Sequence, residues 1–377
     1  MRLLLAVLAL LVASPAAAFT SGTIRVALAE SVRVAEIRGT DVEVTPLGGG
    51  CPRCAGPSWR SDFVRAVAAP AAVEIDGRQA AGFRLTSDRP LRLNGREYAS
   101  PLEIVRHGGA LAVINELPME EYLAGVLRAE TGERWPAEAL RAQAIVARTY
   151  AAYQRQISAG KAYQIVASTA HQMFAGRVSP ASAAWNAVQD TAGQVLRWEG
   201  ELFLAFYHSE SGGYTEDPRT VFAARNMPAL KPVVCPFSTG SPHYYWNLDV
   251  RLGELTEILR RGGVEVGTVS AIEVTERTPS LRASVVTVHG TRGAARLRGN
   301  ELRRLVGFET LKSTLFAVAV DGEAAHFAGR GYGHGVGLCQ WGAKGMAEQG
   351  YTARKILELF YPGTTFGSLS PAARVAQ

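Results

Sequence analysis

The chain has 377 residues, 47% hydrophobic and 20% charged, which is enough to bury a sizeable core and excludes a disordered or low-complexity polypeptide. Its formal charge of +6 balances 40 Lys+Arg against 34 Asp+Glu with no basic run, which suits a weakly anionic partner and is too diffuse to argue for nucleic acid. Four cysteines in this length exclude a disulfide-built scaffold.

Residues 1–18 read as a secretory signal, with Arg2 as its basic start, Leu3 to Val12 as its apolar stretch and Pro15-Ala16-Ala17-Ala18 as its cleavage site. The apolar stretch is too short to span a bilayer, and no other segment reaches that length. The mature chain is therefore expected outside the cytoplasmic membrane, in the periplasm or wall, without a transmembrane anchor. There Cys51 and Cys54 could close a small disulfide. Their loop-like flanks argue against a redox motif, which needs a strand before and a helix after.

Residues 19–114 form a strand-rich section. Thr23 to Leu28, Val42 to Val44 and Ala72 to Ile75 cluster β-formers between Gly and Pro, and Asn94-Gly95 after Leu91-Arg92-Leu93 predicts a hairpin turn. Helical signals then dominate. Leu117-Pro118 opens one helix, Trp135-Pro136 a second running to about Ser158, and Pro180, capped by Ser179, a third ending near Thr191. Gln194–Trp198 and Leu202–His208 predict a hairpin about Glu199-Gly200. Beyond it come a helix near 252–261, strands near 269–276 and 283–289, a short helix from Asn300, and two final helices, the last capped by Thr352 and stopped at Pro362-Gly363. The order predicts an α+β fold: a strand-rich section, a helical region, then a mixed sheet and helix core around a cleft.

The second helix carries apolar residues at almost every angle between Ala139 and Ala152, the pattern of a helix buried on all sides. Arg148 sits within that run and must meet a carboxylate or line a polar cleft. The candidate carboxylate lies just upstream: Glu130, at the C-terminal end of the first helix, where the dipole disfavours an anion. Burial there would raise its pKa toward a general acid's range, and Arg148 would push it back. Two readings stand: a structural ion pair joining two helices, or a catalytic acid with Arg148 orienting it or clamping a substrate carboxylate.

Gly329, Gly331, Gly333, Gly335 and Gly337 occupy alternate positions. If extended, this segment presents one bare face, open either to a sugar strand or to tight internal packing, with Arg330, Tyr332, His334 and Val336 on the other. A phosphate loop is a poor reading, without Gly-Lys-Ser/Thr or a βαβ setting. Cys339 with His334 as a thiol peptidase pair would need a turn between them. His208 alone reads as a core or surface histidine.

The motifs L-P-M-E-E-Y-L-A-G-V-L-R-A-E (117–130), W-P-A-E-A-L-R-A-Q-A-I-V-A-R-T-Y (135–150), S-T-A-H-Q-M-F-A-G (168–176), F-Y-H-S-E-S-G-G-Y-T-E (206–216), G-R-G-Y-G-H-G-V-G-L-C-Q-W-G-A-K-G-M-A (329–347) and I-L-E-L-F-Y-P-G-T (356–364) together resemble the SpoIID/LytB-like family of bacterial wall proteins. The resemblance covers 115–366 as one domain, followed by a tail at 367–377. It implies a lytic transglycosylase acting on peptidoglycan glycan strands, preferably those lacking stem peptides. The family's catalytic Glu falls on Glu130 and its helix Arg on Arg148. Along the same motifs the candidate substrate-binding residues are Gln143, His171, Gln172, Tyr207, Ser209, Ser211, Gly213, Tyr332, His334 and Gln340. Some relatives bind zinc through cysteines flanking a histidine. Here Ala170 and Gln172 flank His171, and Ser238 stands where Cys235 would need a second thiol, so no metal or other cofactor is expected. The other function the family implies is non-catalytic: a wall-binding module that stimulates a partner amidase.

Overall fold

The computed structural model describes residues 22–48, 56–132, 134–222 and 227–369. The expected signal segment and the Cys51/Cys54 pair lie outside the described residues, as does all but the start of the tail. The chain is α+β. Among the described residues, eleven strands between residues 23 and 166 form the largest sheet, antiparallel except for Ile165–Val166, which runs parallel to Thr23–Val32 at one edge. Asn94 and Gly95 take φ of 50° and 77°, the left-handed pair that closes a two-residue hairpin between 91–93 and 96–98.

Eight α-helices follow among the described residues: α1 (Met119–Glu130), α2 (Ala137–Ile157), α3 (Ala183–Asp190), α4 (Pro218–Phe222), α5 (Leu252–Arg261), α6 (Gly299–Val306), α7 (Gln340–Glu348) and α8 (Ala353–Phe360). The all-round apolar pattern of α2 has a direct structural cause. Leu140, Ala144, Ala147 and Ala151 pack into the core shared with the large sheet, α1 and α3. Ala142, Ile145 and Val146 face a second core built with α7 and α8. A third core belongs to a lobe inserted between these parts, where strands spanning residues 245–330 enclose Leu255 and Leu259 of α5 and Leu302 of α6.

Three local expectations are corrected. Helix α3 begins at Ala183, not Pro180, because Ser182 rather than Ser179 caps it, accepting the Trp185 N–H at 3.1 Å. The hairpin about Glu199-Gly200 closes only through Trp198 and Glu201. Strand 194–197 pairs with 365–368 instead, and of residues 202–208 only Tyr207–His208 forms a strand, parallel to Leu338–Cys339. The glycine segment is not extended beyond Arg330. Gly331, Gly333, Gly335 and Gly337 take φ of 85°, 115°, 85° and 72°, and a Cβ on Gly337 would stand 1.9 Å from the Phe206 carbonyl. These glycines serve close internal packing rather than a bare strand face.

Candidate functional site

Glu130 is the last residue of α1, which ends because Thr131 turns extended and folds its hydroxyl back onto the Leu127 carbonyl at 2.7 Å. The carboxyl is half-buried in a cleft of about 450 Å³. Its Oε1 accepts the Met173 N–H at 2.8 Å and the Tyr207 hydroxyl at 3.4 Å. Burial pushes the Glu130 carboxyl above the ordinary carboxylate range, and the Met173 N–H, Gln340 and Tyr207 oppose that shift by favouring the anion. The Gln340 amide thus acts on this charge, although its buried Nε2 forms no well-aligned hydrogen bond.

The parallel pairing of Tyr207–His208 with Leu338–Cys339 brings these groups together, because it sets Tyr207 and Ser209 beside Gln340 at the start of α7. Trp341 donates its backbone N–H to the Ser209 carbonyl at 3.1 Å, and its ring meets Trp135 edge-on at 5.5 Å, which packs α7 against the entry to α2. A two-way backbone bridge between Glu210 and Tyr332 then aligns the glycine segment alongside. Behind Glu130 runs a buried relay. Tyr122 donates to Gln172 Oε1 at 3.0 Å, and Gln172 Nε2 donates to the Tyr207 oxygen at 3.2 Å and the Ala147 carbonyl at 3.4 Å.

Of the residues named from sequence, Glu130, Ser209, Tyr332, His334 and Gln340 line the cleft, while Tyr207 and Gln172 stand behind the carboxyl. His334 accepts the Val336 N–H at 3.0 Å on Nδ1, and burial together with Arg303 and Arg282 pushes its pKa down to about 3, so it stays neutral. Four others have internal duties. His171 Nδ1 accepts the Val166 N–H at 3.1 Å. Buried Ser211 receives Arg282 Nη2 on its carbonyl at 2.6 Å, and Gly213 takes φ of 101° beside the Tyr244 hydroxyl. Gln143 is buried in α2, and neither of its amide atoms has a hydrogen-bond partner among the described residues.

The expected pairing of Arg148 with Glu130 is corrected. Arg148 is fully buried and meets Glu120 instead, with Nη2 donating to Glu120 Oε2 at 2.5 Å and Nε to Oε1 at 3.1 Å. Its remaining donors go to the carbonyls of Val188 and Gln194 and to the Thr191 hydroxyl. Glu120 and Glu130 lie at opposite ends of α1, about 15 Å apart along the axis at 1.5 Å per residue. Arg148 is therefore spent on joining α1, α2 and α3, and does not line the cleft.

Two other hollows, of about 360 and 510 Å³, lie on the large sheet and on the inserted lobe and hold none of the expected site residues. Among the described residues no group of three or more His, Cys, Asp or Glu side chains is arranged to hold a metal ion, and no helix is long and apolar enough to cross a membrane.

A family model described as Stage II sporulation protein (SpoIID) matches residues 107–198, the part that carries Glu130. A second, for a domain of unknown function (DUF8618), matches residues 237–337. An uncharacterised protein of Brachyspira hyodysenteriae is 30% identical over 272 residues, 72% of each chain. Stage II sporulation protein D of Bacillus subtilis is 29% identical over 282 residues, 71% of this chain and 79% of that one. The amidase enhancer of the same organism is 28% identical over 299 residues, 65% of this chain and 40% of the longer relative. The chain belongs to the SpoIID/LytB-like family.

This SpoIID/LytB-like protein therefore has a cell-wall-related role. Its cleft has two walls of different origin. Glu130, Ser209 and Gln340 come from the helical part, whereas Asn300, Arg303, Phe308 and Glu309 come from the inserted lobe. Sequence reasoning missed this second wall. One signal was available: Gly299, Leu302, Arg303 and Val306 have the spacing of a helix's apolar stripe, and an arginine on such a stripe is a buried charge awaiting a partner.

Proposed function

We propose that the protein is an exported lytic transglycosylase that cleaves the linkage between N-acetylmuramic acid and N-acetylglucosamine in peptidoglycan strands. The observation that carries this reading is Glu130, a carboxyl set in the cleft, held by Met173 and Tyr207 and biased by burial toward its protonated form. In the first step the Glu130 proton passes to the glycosidic oxygen as the bond from the muramic C1 breaks and an oxocarbenium-like centre develops. In the second, the muramic O6 forms its bond to C1, and the O6 proton returns to the Glu130 carboxylate. The product is a 1,6-anhydro ring, no water is consumed, and one carboxyl serves both steps.

Hydrolytic glycosidases divide the work between two carboxyls. Glu309 is the other acid on the cleft wall, exposed on the opposite lobe, and it makes no contribution to the Glu130 shift. That arrangement favours the single-carboxyl route. Tyr207 and Gln340 support the anion formed after the first transfer, and the Gln172–Tyr122 relay fixes Tyr207 in place.

The test is incubation of the protein and of Glu130→Gln with peptide-stripped glycan, followed by mass spectrometry for anhydromuramyl ends. Wild type yields them. The variant, which keeps the shape and cannot shuttle a proton, loses turnover by roughly 10²–10⁴-fold. The relative named as an amidase enhancer favours a second reading, in which the same cleft binds strands and stimulates a wall amidase. Strand binding without anhydro ends, accompanied by faster amidase turnover, selects that reading.

A further inference from the structure

We propose that Arg303, on α6 of the inserted lobe, is the specificity residue of the cleft and takes the free carboxylate of a muramic acid in the strand lying against Glu130. This rests on the strand-binding reading above and names the group that distinguishes one strand from another.

Arg303 is only 5% exposed, yet it lines the cleft. Its Nε donates to the Leu311 carbonyl at 2.8 Å and its Nη2 to the Phe308 carbonyl at 3.1 Å. The guanidinium lies over the Phe308 ring at 4.8 Å, so its plane is fixed. A guanidinium carries five N–H donors. Two are taken by these carbonyls, and Nη1 has no partner among the described residues.

Carbonyls orient an arginine without cancelling its charge. Among the described residues Arg303 meets no carboxylate within ion-pair distance, and Glu309 on the adjoining loop makes no ion pair with it. A buried, uncompensated cation is costly unless an anion completes it. Burial and the neighbouring Arg282 lower its pKa to about 10, which still leaves it cationic at neutral pH. With His334 neutral, Arg303 is the one positive side chain on the described cleft wall.

The ligand chemistry follows. In a peptidoglycan strand the muramic sugars carry a lactyl carboxyl, which a stem peptide caps as a neutral amide and which is a free carboxylate once the peptide is gone. N-acetylglucosamine has no such group. An oriented guanidinium with unspent donors distinguishes the charged form from the capped one by a charge-assisted bond. Asn300 precedes Arg303 by one helical turn on the same wall and offers an amide to the neighbouring ring.

The experiment measures binding by calorimetry with three probes of equal length: peptide-stripped glycan, the same glycan with its carboxylates amidated, and neutral chitooligosaccharide. Wild type is expected to bind the first about tenfold or more tightly than the other two. Arg303→Met is expected to bind all three alike, and Arg303→Lys to recover part of the difference. The amidated probe tests the same contact with an unaltered protein, so it decides the matter even if Arg303→Met fails to fold. Equal affinity of wild type for charged and amidated strands, or a preference that survives in folded Arg303→Met, overturns the proposal. Preference for the charged strand without anhydro ends upholds it while removing the transglycosylase reading. Failure to bind any of the probes sinks both.

Discussion

Arg148 of the helical core and Arg303 of the inserted lobe are both buried, and they are completed differently. Arg148 has a carboxylate at 2.5 Å and further acceptors from α3 and the residues after it, so its charge is neutralised within the protein. Arg303 has two carbonyls and an aromatic ring, which set its direction and leave its charge intact. A buried arginine is thus not by itself a functional signal. What separates fastening from recognition is whether the protein supplies the counter-charge or leaves it to a ligand.

The sharpest way to break this comparison is to remove each guanidinium in turn. Arg148→Met takes the guanidinium partner at 2.5 Å away from Glu120 in a largely buried site, and losing one partner of such a pair costs about 3–5 kcal/mol. A large fall in Tm is expected, and adding Glu120→Leu should recover most of it. Should Arg148→Met alone melt like wild type, Arg148 is not the fastener described here. Arg303→Met leaves two carbonyls without donors and no orphaned carboxylate, so about 1–3 kcal/mol is expected in the same assay. If it costs more than Arg148→Met, the two roles are reversed.

The contrast also explains which parts of the molecule were legible in the sequence. The two-sided burial of α2 could be read because periodicity reports how many faces of a helix are covered. Glu130 could be placed because a helix end is marked locally, here by Gly132. The partner of Arg148 could not be read. Glu120 and Glu130 lie on the same helix, and the choice between them is fixed by the way α1 and α3 pack on α2. The alternating glycines suggested a strand because their spacing is two, but positive φ at four successive glycines is imposed by contacts with Phe206, His208, Glu210 and Arg282, distant in sequence. The second cleft wall was hidden for the same reason, since residues 300–309 reach Glu130 only through the docking of a separately cored lobe.

A third prediction concerns the acid itself. The folded-state pKa of Glu130 lies above its unfolded value, so the native state holds this proton more tightly. That contribution to stability is fully present below the unfolded pKa and is lost as pH rises through the folded one. Glu130→Gln carries no such charge at any pH. It is expected to melt above wild type at neutral and alkaline pH and level with it in acid, by calorimetry across that range. A variant that melts lower at pH 8 would mean that the anion is stabilised in the fold and that Glu130 is not poised to donate.

The smallest effect is expected from Tyr207→Phe, and its sign is informative. The Tyr207 hydroxyl sits 3.4 Å from Glu130 Oε1 and favours the anion, while Gln172 holds it from behind. Removing it takes away one of the supports that lower the Glu130 pKa, so the acid form persists to higher pH. The alkaline limb of the rate profile on stripped glycan therefore moves up, and kcat at the optimum falls less than tenfold, because burial, the larger influence, is untouched. The ring of Tyr207 remains in place and Gln172 keeps its bonds to the Ala147 carbonyl and the Tyr122 hydroxyl, so stability changes little. If the limb moved down, or if turnover vanished as in Glu130→Gln, Tyr207 would be carrying a proton itself, and the single-carboxyl scheme would have to become a two-group one.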